Sequence, residues 1–176
     1  ILPDRYVPMA TQAGLITAID SLMLYRCVQI IRKLKQRNRS RGFFCNLALD
    51  TLRDQVFFEQ FFELLASDRT LPQHLVFEIS ARELDGADAE IGERFAQLAR
   101  LGCSFSLDQL TSFNLNYEGL AERKFQYVKV DARKLAGEAR DEEGAKTIIG
   151  LRDKLSSSGI DLIAEKIESE KMVVDL

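Results

Sequence analysis

Tryptophan is absent from this 176-residue sequence, histidine occurs once, and proline, cysteine and methionine occur three times each. The cysteines, Cys27, Cys45 and Cys103, lack the even number of a disulfide framework and the short spacing of a zinc site. Each lies in an apolar run, which predicts buried free thiols and favours a reducing, cytoplasmic location. The single histidine, His74, has no serine or cysteine partner at a matching strand end, so we expect a surface residue that takes no part in catalysis.

Long apolar runs and a strong excess of one charge are also missing. No apolar stretch approaches the ~18 residues that a membrane-spanning helix needs, and the N-terminus lacks the profile of a signal peptide. Any membrane association is therefore expected from flanking regions. The net charge of −3 gives no general attraction to nucleic acid. The basic run at residues 32–41 is interpreted as a solvated helix C-terminus, so neither DNA nor RNA is expected as a partner.

The sequence repeats one order of features, an apolar run that ends in a polar residue, followed by a helix. The five apolar runs, predicted as strands, are residues 43–47, 75–80, 104–108, 127–131 and 160–165. The helices are predicted at residues 13–35, from Asp50 or Thr51 onward, at 89–101, about 118–123 and 143–157, with a last helix capped by Ser169. No hairpin signal joins consecutive strands, so the pattern indicates a parallel sheet with crossover helices.

Two parallel architectures fit this alternation, a (β/α)₈ barrel and a doubly wound sheet. The sequence lacks the glycine-rich phosphate-binding turns of the commonest nucleotide-binding sheets, so we predict an α/β fold of barrel type. Five strands cannot close an eight-stranded barrel, and the remaining strands are therefore expected outside this chain. The length suits a single domain.

Polar side chains stand at the ends of the predicted strands. They are Asn46, Glu78, Asp108, Lys129 and Glu165. Parallel strands place such residues along one edge of a sheet. The carboxylate and amide oxygens suit a hard cation such as Mg²⁺ or Mn²⁺, while Lys129 and Glu165 could hold a phosphate and a water. The set therefore indicates metal-assisted hydrolysis of a phosphodiester.

Six phrases of the sequence, in order and at matching spacing, resemble the EAL-domain family, the cyclic di-GMP phosphodiesterases and their degenerate receptor relatives. The phrases are residues 6–16, 45–48, 77–80, 107–110, 128–131 and 164–168. The resemblance implies a TIM-like (β/α) barrel of EAL type, of which five βα units are recognisable here. It further implies that residues 1–176 form a single, partial EAL domain that lacks the E-A-L strand and the last strand.

The resemblance assigns three sets of site residues. The metal-ligand positions are Asn46, Glu78 and Asp108, the catalytic-centre positions are Lys129 and Glu165, and the cyclic di-GMP pocket includes Asp131, Glu168 and Ser80. The implied ligand is cyclic di-GMP, with Mg²⁺, Mn²⁺ or Ca²⁺ as the metal.

Several positions depart from the family pattern. Gln109 replaces the second aspartate of a catalytic pair, and a neutral amide is a weaker metal ligand. Ala81 replaces a glutamate, Leu110-Thr111 replace Phe-Gly, and Phe113 and Lys166 replace glycines. We therefore expect a degenerate domain that retains a relic of the metal site and is not an enzyme.

Three functions are compatible with these features of the sequence. The first is a cyclic di-GMP receptor without hydrolysis, which engages a protein partner, forms a possible homodimer and acts in bacterial motility, flagellar, pilus or biofilm control. The second is a protein-interaction scaffold that no longer binds nucleotide. The third is a weak metal-dependent cyclic di-GMP phosphodiesterase, which would use Asn46, Glu78 and Asp108.

Overall fold

Helices and strands alternate through most of the protein. The computed structural model describes residues 3–36, 42–110, 112–139 and 141–168. The elements, in chain order, are α1 (Pro3–Gln12), α2 (Ile16–Lys35), β1 (Phe43–Asn46), α3 (Leu49–Arg53), α4 (Gln55–Ser67), a 3₁₀ turn (Pro72–His74), β2 (Leu75–Ser80), α5 (Ala81–Leu84), α6 (Ala89–Leu101), β3 (Ser104–Asp108), α7 (Tyr117–Glu122), β4 (Phe125–Asp131), α8 (Ala132–Glu138), α9 (Glu142–Ser157) and β5 (Asp161–Glu165).

The chain divides into two compact units, Ile1–Ile79 with Glu83–Ser104, and Phe105–Leu176 with Ser80–Arg82. In the first unit, β1 and β2 pair in parallel, and α2 packs against β1 and α3. The buried side chains of α2 include Leu24, Val28 and Ile31, at the spacing that places residues on one helical face. This face anchors the helix to the strand that ends at Asn46.

A buried carboxylate on α2 fixes the chain where β1 passes into α3. Asp20 is 6% exposed, and its Oδ2 accepts hydrogen bonds from the Ala48 backbone N–H at 2.9 Å and from the Thr51 hydroxyl at 2.7 Å. Burial raises the pKa of Asp20, and the two hydrogen bonds oppose this shift. The carboxylate thereby satisfies an amide at the start of α3 and holds the loop that follows Asn46.

In the second unit, β3, β4 and β5 pair in parallel. Strands β3 and β4 pack closely, with the rings of Phe105 and Phe125 in contact at a centroid distance of 5.5 Å. Helix α9 lies against β5 and buries Leu151 and Leu155. Because parallel strands share one direction, the carboxyl ends of β3, β4 and β5 face the same side of this unit.

The predicted helices and strands are largely confirmed, with corrections at their ends. The helix expected from residue 13 is preceded by α1 and begins at Ile16, after Gly14 at a φ of +66°. The helix expected from Asp50 or Thr51 is two helices, and Asp54 caps the second through the Phe57 backbone N–H. The cap at Ser169, Thr111 and the basic residues Arg37, Arg39 and Arg41 lie outside the described residues.

The prediction of buried free thiols is confirmed for Cys45 and Cys103, whereas Cys27 is free but only half-buried. The surface position expected for His74 is wrong. Its side chain is 8% exposed, since the 3₁₀ turn leads directly into the buried strand β2. Within the described part of the chain, no helix has the length and apolar character needed to span a membrane.

We predict that Asp20→Ala lowers the free energy of unfolding by about 2 kcal/mol, because the Ala48 N–H and the Thr51 hydroxyl lose their buried acceptor. Urea denaturation followed by circular dichroism measures the change. Asp50→Ala is the matched control, since Asp50 is exposed on α3 and its ion pair with Arg53 is solvent-accessible. Equal stability of the two variants would contradict the role assigned to Asp20.

Candidate functional site

Two of the predicted metal ligands lie side by side in the first unit. Asn46 and Glu78 are paired residues in the parallel register of β1 and β2, and the Leu47 N–H continues the ladder by donating to the Glu78 carbonyl at 3.1 Å. Glu78 is half-buried and Asn46 is exposed. An amide oxygen and a carboxylate at one level of neighbouring strands form a donor set that fits a hard divalent cation.

The remaining predicted charged residues of the site belong to the second unit, at the carboxyl ends of its strands. Asp131 and Glu165 are paired residues in the register of β4 and β5, and Lys129 lies two residues before Asp131. Asp108 is the last residue of β3. Burial raises the pKa of Glu165, the charge of Asp108 raises it further, and the ammonium groups of Lys166 and Lys129 oppose the shift. The structure therefore brings Asp108, Lys129, Asp131 and Glu165 into one electrostatic group.

The residue after Asp108 adopts a backbone conformation that is unusual for a side chain. Gln109 has a φ of +54°, and its backbone N–H donates to the Asp108 Oδ1 at 2.7 Å. The turn therefore fixes the orientation of the Asp108 carboxylate. The Gln109 side chain is exposed.

The loop that follows Gln109 is tied to α8. Lys134 donates from its ammonium group to the Leu110 carbonyl at 2.9 Å. The same ammonium lies 4.9 Å from the centre of the Phe113 ring, where the cation is attracted by the face of the aromatic ring. Phe113, which replaces a glycine of the family pattern, thus helps to anchor this loop.

The three predicted nucleotide-pocket residues have different surroundings. Asp131 caps α8 by accepting a hydrogen bond from the Arg133 backbone N–H at 2.9 Å, and this bond lowers the pKa of the Asp131 carboxyl. Glu168 forms an ion pair with Arg133 at 2.5 Å. Ser80 is half-buried at the carboxyl end of β2.

One residue of this group was noted in the sequence only as a departure from the family pattern. The Lys166 ammonium lies 3.4 Å from the Asp131 Oδ2 and 3.7 Å from the Glu165 Oε1. Sequence reasoning placed Lys166 after the strand and did not predict these contacts. The available signal was a basic residue directly after a strand-terminal glutamate, at a position where a glycine was expected.

Comparison with known proteins places this arrangement in a family. The family model described as "EAL domain" matches residues 1–176, the whole chain. The chain belongs to the EAL-domain family. The EAL domain of FimX from Xanthomonas citri, in complex with c-diGMP, superposes with a TM-score of 0.83 over 99% of this chain and 69% of that chain, at 16% identity. The predicted fold, an α/β TIM-like barrel of EAL type, is thereby confirmed.

Two curated relatives share parts of this EAL domain. The cyclic di-GMP phosphodiesterase RocR of Pseudomonas aeruginosa is 26% identical over 148 residues, 82% of this chain and 37% of its own length. The cyclic di-GMP phosphodiesterase PdeF of Escherichia coli K12 is 19% identical over 172 residues, 98% of this chain and 23% of its own length. The chain thus spans well under half of either relative.

These names contradict the expectation that the EAL domain is not an enzyme, because both relatives are phosphodiesterases. The expectation gave most weight to the changes at Ala81, Gln109 and Lys166. It gave too little weight to the chemical groups that remain. Lys129 and Glu165 are both present, in the same electrostatic group as Asp108.

We predict that Glu165 titrates above the ordinary range of a glutamate, and that Asp108→Asn lowers this pKa because it removes a like charge. Carboxyl-detected NMR titration measures both values. Asp161→Asn is the control, since Asp161 is exposed at the opposite end of β5.

The raised pKa of Glu165 makes the stability of the protein depend on pH. When the pKa of a group is higher in the folded than in the unfolded state, the group stabilises the folded state at low pH. This contribution to the free energy of unfolding is lost as the pH rises through the folded-state pKa. At pH values above the ordinary pKa of a glutamate, Asp108→Asn should therefore lose less stability through Glu165 than the wild type does. An unchanged Glu165 titration in Asp108→Asn would show that the two carboxylates do not interact.

Proposed function

We propose that this EAL domain binds cyclic di-GMP and hydrolyses one of its phosphodiester bonds with the help of a divalent cation. The observation that carries the proposal is the grouping of Asp108, Lys129, Asp131 and Glu165 at the carboxyl ends of three parallel strands. Support comes from the two relatives named as cyclic di-GMP phosphodiesterases and from the c-diGMP complex of the FimX EAL domain.

The chemical groups in the second unit suit an anionic phosphodiester. Lys129 places an ammonium close enough to act on the Glu165 carboxyl, and it can offset charge that develops on a phosphoryl oxygen. Glu165 is half-buried, and a carboxylate whose pKa is raised by burial and by a neighbouring charge is suited to accept a proton from a bound water. We assign charge stabilisation to Lys129 and proton acceptance from the attacking water to Glu165.

The predicted metal ligands are Asn46 and Glu78 of the first unit and Asp108 of the second unit, and Mg²⁺, Mn²⁺ or Ca²⁺ stays the predicted cation. A bound divalent cation would supply Lewis acidity toward the phosphodiester. Asn46 and Glu78 present oxygen donors at one level of β1 and β2, and Asp108 is held in orientation by the Gln109 N–H.

Gln109 sets the expected rate. Its amide carries no negative charge, so it offers a cation or a proton less stabilisation than the aspartate that the family pattern has at this position. We therefore propose a slow phosphodiesterase that keeps its affinity for the nucleotide although its turnover is reduced. This property would also suit a receptor.

The cellular setting is part of the same proposal. A cytoplasmic location, a protein partner, a homodimer and a role in motility, flagellar, pilus or biofilm control stay predictions from the sequence and the family resemblance. A nucleotide-free scaffold is the alternative that the following experiment separates from the enzyme.

We predict that the purified protein converts cyclic di-GMP to the linear dinucleotide in the presence of Mn²⁺, measured by chromatography of the products. Glu165→Gln should lower kcat at least about 100-fold, because it removes the proton acceptor while preserving shape. Asp161→Asn, at the other end of β5, should keep the wild-type rate. If the wild type neither hydrolyses cyclic di-GMP nor binds it in calorimetry, the result would favour the scaffold.

A second variant tests the interpretation of Gln109. Gln109→Asp should raise kcat about tenfold by restoring a carboxylate, while Gln109→Asn, which stays neutral, should leave kcat near the wild-type value. Both replacements tolerate the positive φ of this position better than most side chains. Equal rates in the two variants would show that the charge at residue 109 does not limit turnover.

A further inference from the structure

Lys166 follows the last residue of β5 in a conformation that few side chains adopt. Its φ of +57° lies in the left-handed region, where a β-carbon meets steric resistance that glycine avoids. Such conformations concentrate at functional sites, since surrounding interactions must outweigh their cost.

The Lys166 ammonium stands between two carboxylates. It lies 3.4 Å from the Asp131 Oδ2 and 3.7 Å from the Glu165 Oε1. Because Asp131 and Glu165 are paired residues of β4 and β5, their like charges lie close together and repel. A cation placed between them reduces that repulsion.

The charge balance of the group depends on this residue. The groups that act on Glu165 are the carboxylates of Asp108 and Asp131 and the ammonium groups of Lys166 and Lys129. Three carboxylates and two ammonium groups leave one negative charge uncompensated, and removal of the Lys166 charge would leave two. A ligand with two phosphodiester anions would then meet stronger repulsion.

We propose that Lys166 is a tethered cation of the nucleotide site, which offsets the Asp131 and Glu165 charges and allows cyclic di-GMP to bind without a divalent cation. This inference rests on the proposed function, since it concerns the same ligand. The Lys166 side chain is 58% exposed, so an arriving phosphate can approach this residue. Lys166 is thus a binding residue that supplies part of the charge that a metal would otherwise bring.

The chain offers a matched control for the backbone effect. Lys124 has a φ of +67° and an exposed side chain, as Lys166 does. It precedes the first residue of β4, at the opposite end of the strand from Asp131. Lys124→Met therefore makes the same chemical change in the same backbone region, away from the strand ends that carry the carboxylates.

The test is calorimetric titration of the purified protein with cyclic di-GMP, once in EDTA and once with Ca²⁺. In EDTA, we expect wild-type binding, a Kd about tenfold weaker for Lys166→Met, and a Kd within about twofold of wild type for Lys166→Arg and Lys124→Met. Lys166→Gly removes the same charge and relieves the backbone conformation, so it should lose affinity even if Lys166→Met folds poorly. With Ca²⁺ present, the loss in both neutral variants should shrink to about twofold.

The outcomes separate the two proposals. Equal affinity of wild type, Lys166→Met and Lys166→Gly in EDTA would overturn the inference. Binding of the wild type only with Ca²⁺ would also overturn it, because Lys166 would then not replace the metal charge, while the proposed function would stand. Absence of wild-type binding under both conditions would overturn the proposed function together with the inference.

Discussion

The parallel register of β4 and β5 places the carboxylates of Asp131 and Glu165 next to each other. Neighbouring donor groups stabilise these two negative charges. The Lys166 ammonium approaches both carboxylates, and the Arg133 backbone N–H donates to Asp131 from the first turn of α8. These contacts connect the residues that follow β5 to β4 and to α8. Glu168, paired with Arg133, extends the same connection.

Backbone conformation and charge are coupled at two strand ends of the second unit. Gln109 and Lys166 each follow a strand-terminal carboxylate, and each has a positive φ. In the first case a backbone N–H turns back to the carboxylate of Asp108, and in the second a side-chain ammonium reaches the carboxylate of Glu165. The left-handed turn changes the chain direction directly after the strand, which keeps the following residues close to the charge they stabilise. In both cases an electrostatic contact accompanies the unusual backbone conformation.

The sequence predicted the order and type of the elements well, because each strand is a short apolar run between clear helical patterns and because family phrases fix the spacing. It located the strand-terminal residues Asn46, Glu78, Asp108, Lys129 and Glu165 correctly at the ends of β1 to β5 or just before them. It did not predict the burial of Asp20 or His74, since both depend on contacts with distant segments. It also missed the position of the Lys166 ammonium, which follows from a left-handed turn that a lysine does not signal. Local patterns predict elements, whereas long-range contacts decide which polar groups become buried or paired.

The mistaken expectation of an inactive domain has a physical lesson about how substitutions at a catalytic centre combine. Gln109 removes a charge, and Lys166 adds an opposite one, so both changes make the strand ends less negative. A less negative group attracts a divalent cation less strongly but repels a phosphodiester less strongly as well. The two effects act in opposite directions on catalysis and binding, because hydrolysis requires stabilisation that appears only in the transition state, while binding requires only ground-state complementarity. The substitutions are therefore expected to slow turnover more than they weaken nucleotide affinity, and counting them does not decide whether the domain is an enzyme.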